Sequence, residues 1–313
     1  MRWREGFVGP GGLRAGWRLA IYYVLANGLV AIPFVIALAL GVKKPTSLSP
    51  ALLLSGELVQ FAGGLAAVAI MARIERRRIA AYGLTLRGAF GGRFWQGALW
   101  GIAAVSAVVG LIALCGGYTL GAPALSGQEL VKAAAMWLLA TTAIGLTEEL
   151  QYRGYMLFTL ANGIRFWPAA ILISLLFAAD HYFLKPFETW VDAASVGLIG
   201  LFFCLMVRRT GNLWFPIGWH AAFNFGQFCL WGGPNSANQG HPFPGHLFAS
   251  SFHGPEWLTG GRLGIEASAF VFPVTALSML LFLLLYRRAQ WPNFAATHRA
   301  EILELPLDRV TAT

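Results

Sequence analysis

Long apolar stretches dominate the chain, and polar residues are concentrated in the segments between them. Several stretches run for about 18 residues or more with few or no charges, the length at which a helix crosses the hydrocarbon core of a membrane. The pattern predicts an all-α, polytopic transmembrane helix bundle that forms a single membrane domain over residues 1–313. About eight spans are predicted, at 19–42, 51–72, 95–118, 132–160, 167–186, 189–207, 213–232 and 264–286.

The composition supports this picture. Hydrophobic residues make up 57% of the 313 residues and charged residues only 12%, roughly half the charged share of an average soluble domain. Two connecting segments are long. The stretch 73–94 is basic, and 233–263 is rich in Gly, Pro and His, which favours a flexible outer loop. Residues 289–313 are polar enough to form a short cytoplasmic tail.

Basic residues are divided unevenly between the two sides of the predicted bundle. With the N-terminus in the cytoplasm, seventeen of the 23 Lys and Arg residues fall in inner segments and five in outer ones, leaving Arg153 within a span. This bias predicts an N-in, C-in protein of a bacterial inner (plasma) membrane. The net charge of +9 is then explained by contact with anionic lipids. Nucleic acid is not an expected partner, because no soluble basic surface is predicted.

Three charged residues lie inside the fourth predicted span, in the sequence LTEELQYRGY. Glu148 is about 12 residues from the inner end of the span, or roughly 18 Å deep. Glu149 and Arg153 have the i, i+4 spacing of a helical ion pair, and Glu148 points about 100° away from Glu149. We therefore expect Arg153 to neutralise Glu149 and Glu148 to be free to act as a general base. The alternative is a Glu–Arg clamp that only holds helices together.

Two further spans carry polar groups that could lie close to Glu148. His181 lies roughly 18 Å from the inner end of the fifth span, at the depth of Glu148. Its neighbour Asp180 faces another way and is expected to hydrogen-bond between helices. His220 and Asn224 are spaced i, i+4 in the seventh span, so both project from one face. These groups suffice for a hydrolase: a base that takes a proton from water, a histidine that orients the water or protonates the leaving amine, and two donors for an oxyanion.

Three motifs in this order carry a family resemblance. EELQYR (Glu148–Arg153), FAADH (Phe177–His181) and HAAFN (His220–Asn224) resemble the EExxxR, FxxxH and HxxxN motifs of the CPBP (Abi) family. These are membrane glutamic proteases related to type II CAAX prenyl endopeptidases. The resemblance implies a catalytic core over 130–232 and a membrane-embedded or lipidated peptide substrate, with no cofactor or metal.

The resemblance also implies a role for each motif residue. Glu148 is expected to be the catalytic base, and His181 to help activate the water. His220 and Asn224 are expected to form the oxyanion hole. Glu149 and Arg153 are expected to support the first motif.

Two other classes of function remain open from the sequence. A zinc-dependent membrane hydrolase would use Glu and His ligands, although the chain has no HExxH motif and Asn is a poor zinc ligand. A non-catalytic immunity, scaffold or transport protein would use the same charged groups as a proton relay. The internal repeats and paired broken helices of many transporters are not evident in this sequence.

Overall fold

The computed structural model describes residues 6–9, 12–43 and 48–291. All but the first three residues of the tail predicted at 289–313 therefore lie outside the described residues. Within the described part, the chain forms a helical bundle, and the all-α prediction is confirmed. The helices of twelve or more residues are α1 (Ala15–Ala39), α2 (Pro50–Ile74), α3 (Gly92–Leu114), α4 (Gly127–Ile164), α5 (Phe166–Leu184), α6 (Trp190–Thr210), α7 (Trp214–Phe225) and α8 (Val271–Leu285).

Among the described residues, six helices, α1 to α6, are long and apolar enough to cross a membrane, so the predicted eight spans are approximate. The helix α7 is extended by a π-helical turn, Gly226–Leu230, and α8 has only 15 residues. The predicted start of the last span, at residue 264, is wrong. Gly264 has a positive φ of 99°, a conformation that stops a helix, and a 3-10 turn, Ile265–Ala267, precedes α8.

The central helix α4 changes its hydrogen-bond pattern half-way along. It is α-helical over Gly127–Glu148, π-helical over Glu149–Met156, and α-helical again over Leu157–Ile164. Wider π-helical segments of this kind occur mostly at functional sites. Here the segment coincides with the charged part of the span.

Two hydrogen-bonded clusters fix this π segment. The hydroxyl of Tyr152 donates to Asp180 on α5 over 2.5 Å, and Tyr23 on α1 donates to the same carboxylate over 3.0 Å. The interhelical role expected for Asp180 is confirmed. One turn further on, Tyr155 donates to Glu75 at the end of α2 over 2.5 Å. The segment is therefore tied to three other helices.

Helices α3 and α7 touch through their backbones. A Cβ atom on Gly97 or Gly101 of α3 would lie 2.0 or 2.1 Å from a carbonyl oxygen of α7. A Cβ on Gly218 of α7 would lie 2.0 Å from the carbonyl oxygen of Phe94 on α3. Small residues allow such close contact between membrane helices, and here the contact fixes the part of α7 that carries His220.

The segment 233–263 is folded, which corrects the expectation of a flexible loop. Phe243 is only 1% exposed and its ring packs against Trp137 of α4 and Phe228 of the π turn, with centroid distances of 5.3 and 5.0 Å. The segment forms a cap over the first half of α4 and the π turn that follows α7. Its short antiparallel pairs are Tyr118–Thr119 with Ser251–Phe252 and Pro234–Asn235 with His241–Pro242, and a third pair near the N-terminus joins Val8–Gly9 to Gly12–Leu13.

Candidate active site

Two adjacent carboxylates lie on either side of one imidazole. Nδ1 of His220 is 3.0 Å from Oε1 of Glu149, and Nε2 of His220 is 3.8 Å from Oε2 of Glu148. An ionised carboxylate only accepts hydrogen bonds, so Nδ1 donates to Glu149. The distance to Glu148 is longer than a hydrogen bond. Glu149 therefore fixes the orientation of His220, and Glu148 lies beside the free nitrogen.

The two glutamates are not independent, although the expectation of separate directions suggested that they would be. Both reach His220, Glu149 at Nδ1 and Glu148 near Nε2. The predicted ion pair itself is confirmed, since Arg153 Nη1 is 3.2 Å from Glu149 Oε1.

The guanidinium of Arg153 is enclosed by aromatic rings. Its carbon atom lies 4.2 Å from the ring centre of Phe177 and 4.9 Å from that of Phe203. Such contacts stabilise a desolvated cation. A Cβ on Gly200 of α6 would lie 2.9 Å from Arg153 Nη2. The position of Glu149 is thus set by an arginine that is held by two other helices, α5 and α6.

The orientation of His181 is fixed by its own helix. Its Nδ1 lies 2.9 Å from the carbonyl oxygen of Phe177, one turn earlier in α5. A carbonyl oxygen accepts hydrogen bonds, so Nδ1 carries the proton and Nε2 is left as an acceptor. The ring also packs against Phe177 with a centroid distance of 4.5 Å. His181 is therefore prepared to accept a proton or a hydrogen bond from a small molecule.

One small cavity brings together groups from α5, α6, α7 and the turn before α8. Its volume is about 30 Å³, which is enough for roughly two water molecules. His181, His220 and Asn224 all contribute to its wall, as the sequence predicts. Glu148 does not line it, and approaches it through His220. The lining residues are Phe177, His181, Val196, Ile199, Phe203, Trp219, His220, Phe223, Asn224 and Glu266.

The family comparison agrees with this geometry. Residues 130–226 match the model of a family described as type II CAAX prenyl endopeptidase Rce1-like. The family resemblance is confirmed for this segment. The Rce1-like segment contains all six predicted site residues and supports a CAAX-type membrane endopeptidase. No curated protein and no solved structure matches the chain.

Two carboxylates of the site lie outside the Rce1-like segment and were not predicted. Glu266, in the turn before α8, lines the cavity with His181, His220 and Asn224. Glu57, on α2, interacts electrostatically with Glu148 and His220. Its carboxylate accepts a hydrogen bond from the side chain of Gln60 over 3.2 Å. The sequence did contain a signal for both, because each carboxylate falls inside a predicted span.

Opposite charges act on each other around the cavity-lining Glu266. Burial lowers the pKa of Lys185, which follows α5, but nearby carboxylates outweigh this effect, and the net pKa lies above its usual value. The carboxylates that act on Lys185 are Glu266, with the largest effect, and Glu148, Glu188 and Asp192. Burial raises the pKa of Glu266 to about 7, an effect that the positive charge of Lys185 opposes.

Two histidines of the cap contact separate partners. Nδ1 of His246 is 2.7 Å from the carbonyl oxygen of Phe243, and Nε2 of His253 is 2.8 Å from Oγ of Ser251. Across residues 6–9, 12–43 and 48–291, no three His, Cys, Asp or Glu side chains are arranged to hold a metal ion. The site therefore offers carboxylate, imidazole and amide groups around a cavity that holds roughly two water molecules.

Proposed function

We propose that the protein is an intramembrane endopeptidase that hydrolyses a peptide bond of a membrane-associated or lipidated protein or peptide by means of a glutamate-activated water. One observation carries the proposal. A water-sized cavity is walled by His181, His220 and Asn224, and Glu148 lies 3.8 Å from the free nitrogen of His220. Three separate helices thus contribute the groups that hydrolysis needs, and all of these groups lie in the Rce1-like segment.

In the proposed reaction, Glu148 removes a proton from a water that lies between its carboxylate and the cavity. Its Oε2 atom is buried, and within the described residues no donor reaches it. A buried acceptor of this kind is free to bind a water. His181 helps to hold the same water, because its Nδ1 is engaged by Phe177 and its Nε2 remains an acceptor. The activated water then attacks the carbonyl carbon of the substrate.

The tetrahedral intermediate carries a negative oxygen that needs donors. The amide of Asn224 supplies one. His220 supplies a second from Nε2 when the ring is doubly protonated, since Nδ1 already donates to Glu149. The negative charges of Glu149 and Glu148 on either side stabilise such an imidazolium. Donors that are held in place before the reaction contribute most to stabilising this charge.

The test is cleavage of a reporter membrane peptide by the detergent-purified protein. Glu148→Gln keeps the size of the side chain but removes the base, so we expect cleavage to fall at least about 1,000-fold without a change in folding. Glu129→Gln, an exposed change on the same helix, is the matched control and should cleave at the wild-type rate. Cleavage by Glu148→Gln at the wild-type rate would overturn the proposed mechanism.

The same assay separates the alternatives. Inhibitors directed at serine or cysteine nucleophiles should leave cleavage unchanged, because neither residue type has a role in the proposed mechanism. Chelators should have little effect. Complete loss on chelation that zinc restores would favour a zinc-dependent hydrolase instead. Substrate turnover itself distinguishes an enzyme from a non-catalytic immunity or transport protein.

We also propose that both termini face the cytoplasm of a bacterial cell and that the basic inner segments contact anionic lipids. The excess of Lys and Arg in the predicted inner segments supports this orientation. Reporter fusions after the last residue should report the cytoplasm, and fusions within the cap should report the outer side. A signal from the outer side for the C-terminal fusion would overturn the orientation.

A further inference from the structure

Peptide hydrolysis needs a second proton transfer, to the leaving nitrogen, and the sequence left a histidine as one candidate for it. When the C–N bond breaks, the leaving nitrogen must take up a proton, because an amide anion is too basic to leave. His181 has its Nδ1 proton engaged by the carbonyl of Phe177. The amide of Asn224 can donate a hydrogen bond but does not give up a proton. The proton that Glu148 takes from water is held outside the cavity wall, and His220 is assigned to the oxyanion, so a group with a transferable proton at that wall would reach the nitrogen more directly.

Glu266 has the required position. Among the cavity-lining residues that the structure describes, it carries the one carboxyl group. It reaches the cavity from the turn before α8, whereas the two histidines and Asn224 reach it from α5 and α7. Glu148 approaches from α4 through His220. The two carboxyl groups thus approach the site from different elements of the bundle.

The turn that carries Glu266 is held firmly against the bundle. The hydroxyl of Ser195 on α6 donates to the backbone oxygen of Glu266 over 2.7 Å. Ser268, two residues later, is fully buried and donates to the backbone oxygen of Leu258 over 2.6 Å. Ile265, the preceding residue, is also fully buried in the core. A side chain mounted on a fixed turn is suited to a proton transfer that requires a defined geometry.

The charges around Glu266 favour a carboxyl group that is neutral for part of the time. Burial raises its pKa to about 7, with further upward effects from Asp192 and Glu148, whereas Lys185 and His220 act in the opposite direction. A general acid is most effective when its pKa lies near the working pH. Near neutral pH, Glu266 holds a proton in a substantial fraction of the molecules.

We propose that Glu266 is the proton donor to the leaving amine, a catalytic residue contributed from outside the Rce1-like segment. This inference rests on the proposed function. Glu148 takes one proton from water as the C–O bond forms. The carboxyl of Glu266 gives its proton to the nitrogen as the C–N bond breaks. The proton on Glu148 returns to Glu266 through the cavity waters, so the products are a carboxylic acid and an amine and the enzyme is unchanged.

The decisive experiment compares an amide with an ester at the same position. An alkoxide leaves without prior protonation far more readily than an amide anion does. The reporter peptide and its depsipeptide analogue, in which the scissile amide is replaced by an ester, are each cleaved by detergent-purified variants. For Glu266→Gln we expect kcat/KM for the amide to fall about 100-fold or more, and that for the ester to stay within about threefold.

The controls separate this inference from the proposed function. Glu129→Gln removes an exposed carboxylate on α4 that lies outside the cavity wall, and it should cleave both reporters at nearly the wild-type rate. Glu148→Gln should lose both activities. If Glu148→Gln loses both and Glu266→Gln cleaves the amide normally, the inference about Glu266 fails and the proposed function stands. If Glu148→Gln keeps both activities, the proposed function itself fails.

Two further outcomes are informative. An equal loss of amide and ester cleavage in a folded Glu266→Gln protein would mean that Glu266 positions water or substrate, and would overturn its role as a proton donor. If Glu266→Gln does not fold, Glu266→Asp keeps a carboxyl group at a shorter reach. For Glu266→Asp we expect kcat/KM to fall about tenfold for the amide and to change little for the ester. An equal loss for both reporters would again overturn the proposal.

Discussion

Oε1 of Glu149 accepts from Nδ1 of His220 over 3.0 Å, and Arg153 contacts the same oxygen at 3.2 Å. The second glutamate of the motif is therefore more than a partner for the arginine, because it also orients the imidazole on α7. Through this one oxygen, a charge on α4 holds the imidazole of His220, the proposed oxyanion donor, on another helix. Loss of the arginine should accordingly affect both folding and catalysis.

Arg153→Ala should be among the most destabilising single changes in the bundle. It leaves the carboxylate of Glu149 fully buried without its cation, which costs on the order of 3 kcal/mol or more. Arg153→Lys should restore part of the stability and less of the activity, because the charge remains but the planar fork is lost. Thermal unfolding in detergent, followed by the reporter assay, measures both. A fully stable and active Arg153→Ala protein would refute the pairing.

Gly200→Ala should act on catalysis from a helix that carries none of the predicted site residues. The added methyl would lie 2.9 Å from Arg153 Nη2 and 3.3 Å from the ring of Phe177, so the guanidinium must shift. We expect kcat to fall about tenfold, with a loss of stability of about 1–2 kcal/mol. The control is Gly110→Ala on α3, since a Cβ there meets nothing within 4 Å. Equal activity of the two variants would contradict this expectation.

Gly101→Ala tests the contact between α3 and α7. A methyl at this position would lie 2.1 Å from the carbonyl oxygen of Trp219, the residue before His220, so the helices must separate. We expect a loss of about 3 kcal/mol or more in unfolding free energy, together with loss of cleavage. Gly110→Ala on the same helix should unfold at the wild-type temperature. Differential scanning measurements on both purified variants provide the comparison.

Asn224→Ala removes one donor to the oxyanion while leaving the base in place. For a single donor of this kind we expect kcat to fall on the order of 100- to 1,000-fold with little change in KM. Asn224→Asp keeps the size but replaces the donor with an acceptor, so it should be at least as damaging. A loss that appears only in KM would indicate that Asn224 binds substrate in the ground state.

The pH dependence of amide cleavage should follow Glu266. Its pKa of about 7 means that the proton-donating form is lost as the pH rises above 7, so kcat/KM for the amide should fall there, and the ester should show no such decline. The groups that act on this carboxyl are Lys185, Asp192, Glu148 and His220. Lys185→Gln removes a charge that lowers the pKa of Glu266, so the decline should move to higher pH. If the decline in kcat/KM stays at the same pH in Lys185→Gln, it does not report the titration of Glu266.

The sequence predicted the positions of the site residues because charge is expensive within a membrane. Glu148, His181 and His220 stand out in apolar spans, and the structure places all three in or next to one cavity. The same rule applied to Glu57 and Glu266 would have identified both. They were missed because neither belongs to a recognisable motif.

Other features could not be read from the sequence. The change to π-helical hydrogen bonding at Glu149 depends on contacts with other helices, such as those of Tyr152 with Asp180 and Tyr155 with Glu75. Local spacing therefore gave the correct ion pair but not the shared approach of both glutamates to His220. The cap was likewise unpredictable, because Phe243 becomes buried only when residues from α4 and the π turn surround it.

The glycine contacts of α3 also limit how far the chain can be truncated. Residues 130–226 carry the recognisable motifs, yet one side of α7 lies directly against the backbone of Gly97 and Gly101. A fragment without α3 would expose that side to lipid, and would also lack Glu57 on α2 and the turn with Glu266. We therefore expect the Rce1-like segment to be unable to fold or to cleave by itself. A minimal engineered protease would have to begin before α2 and continue through α8.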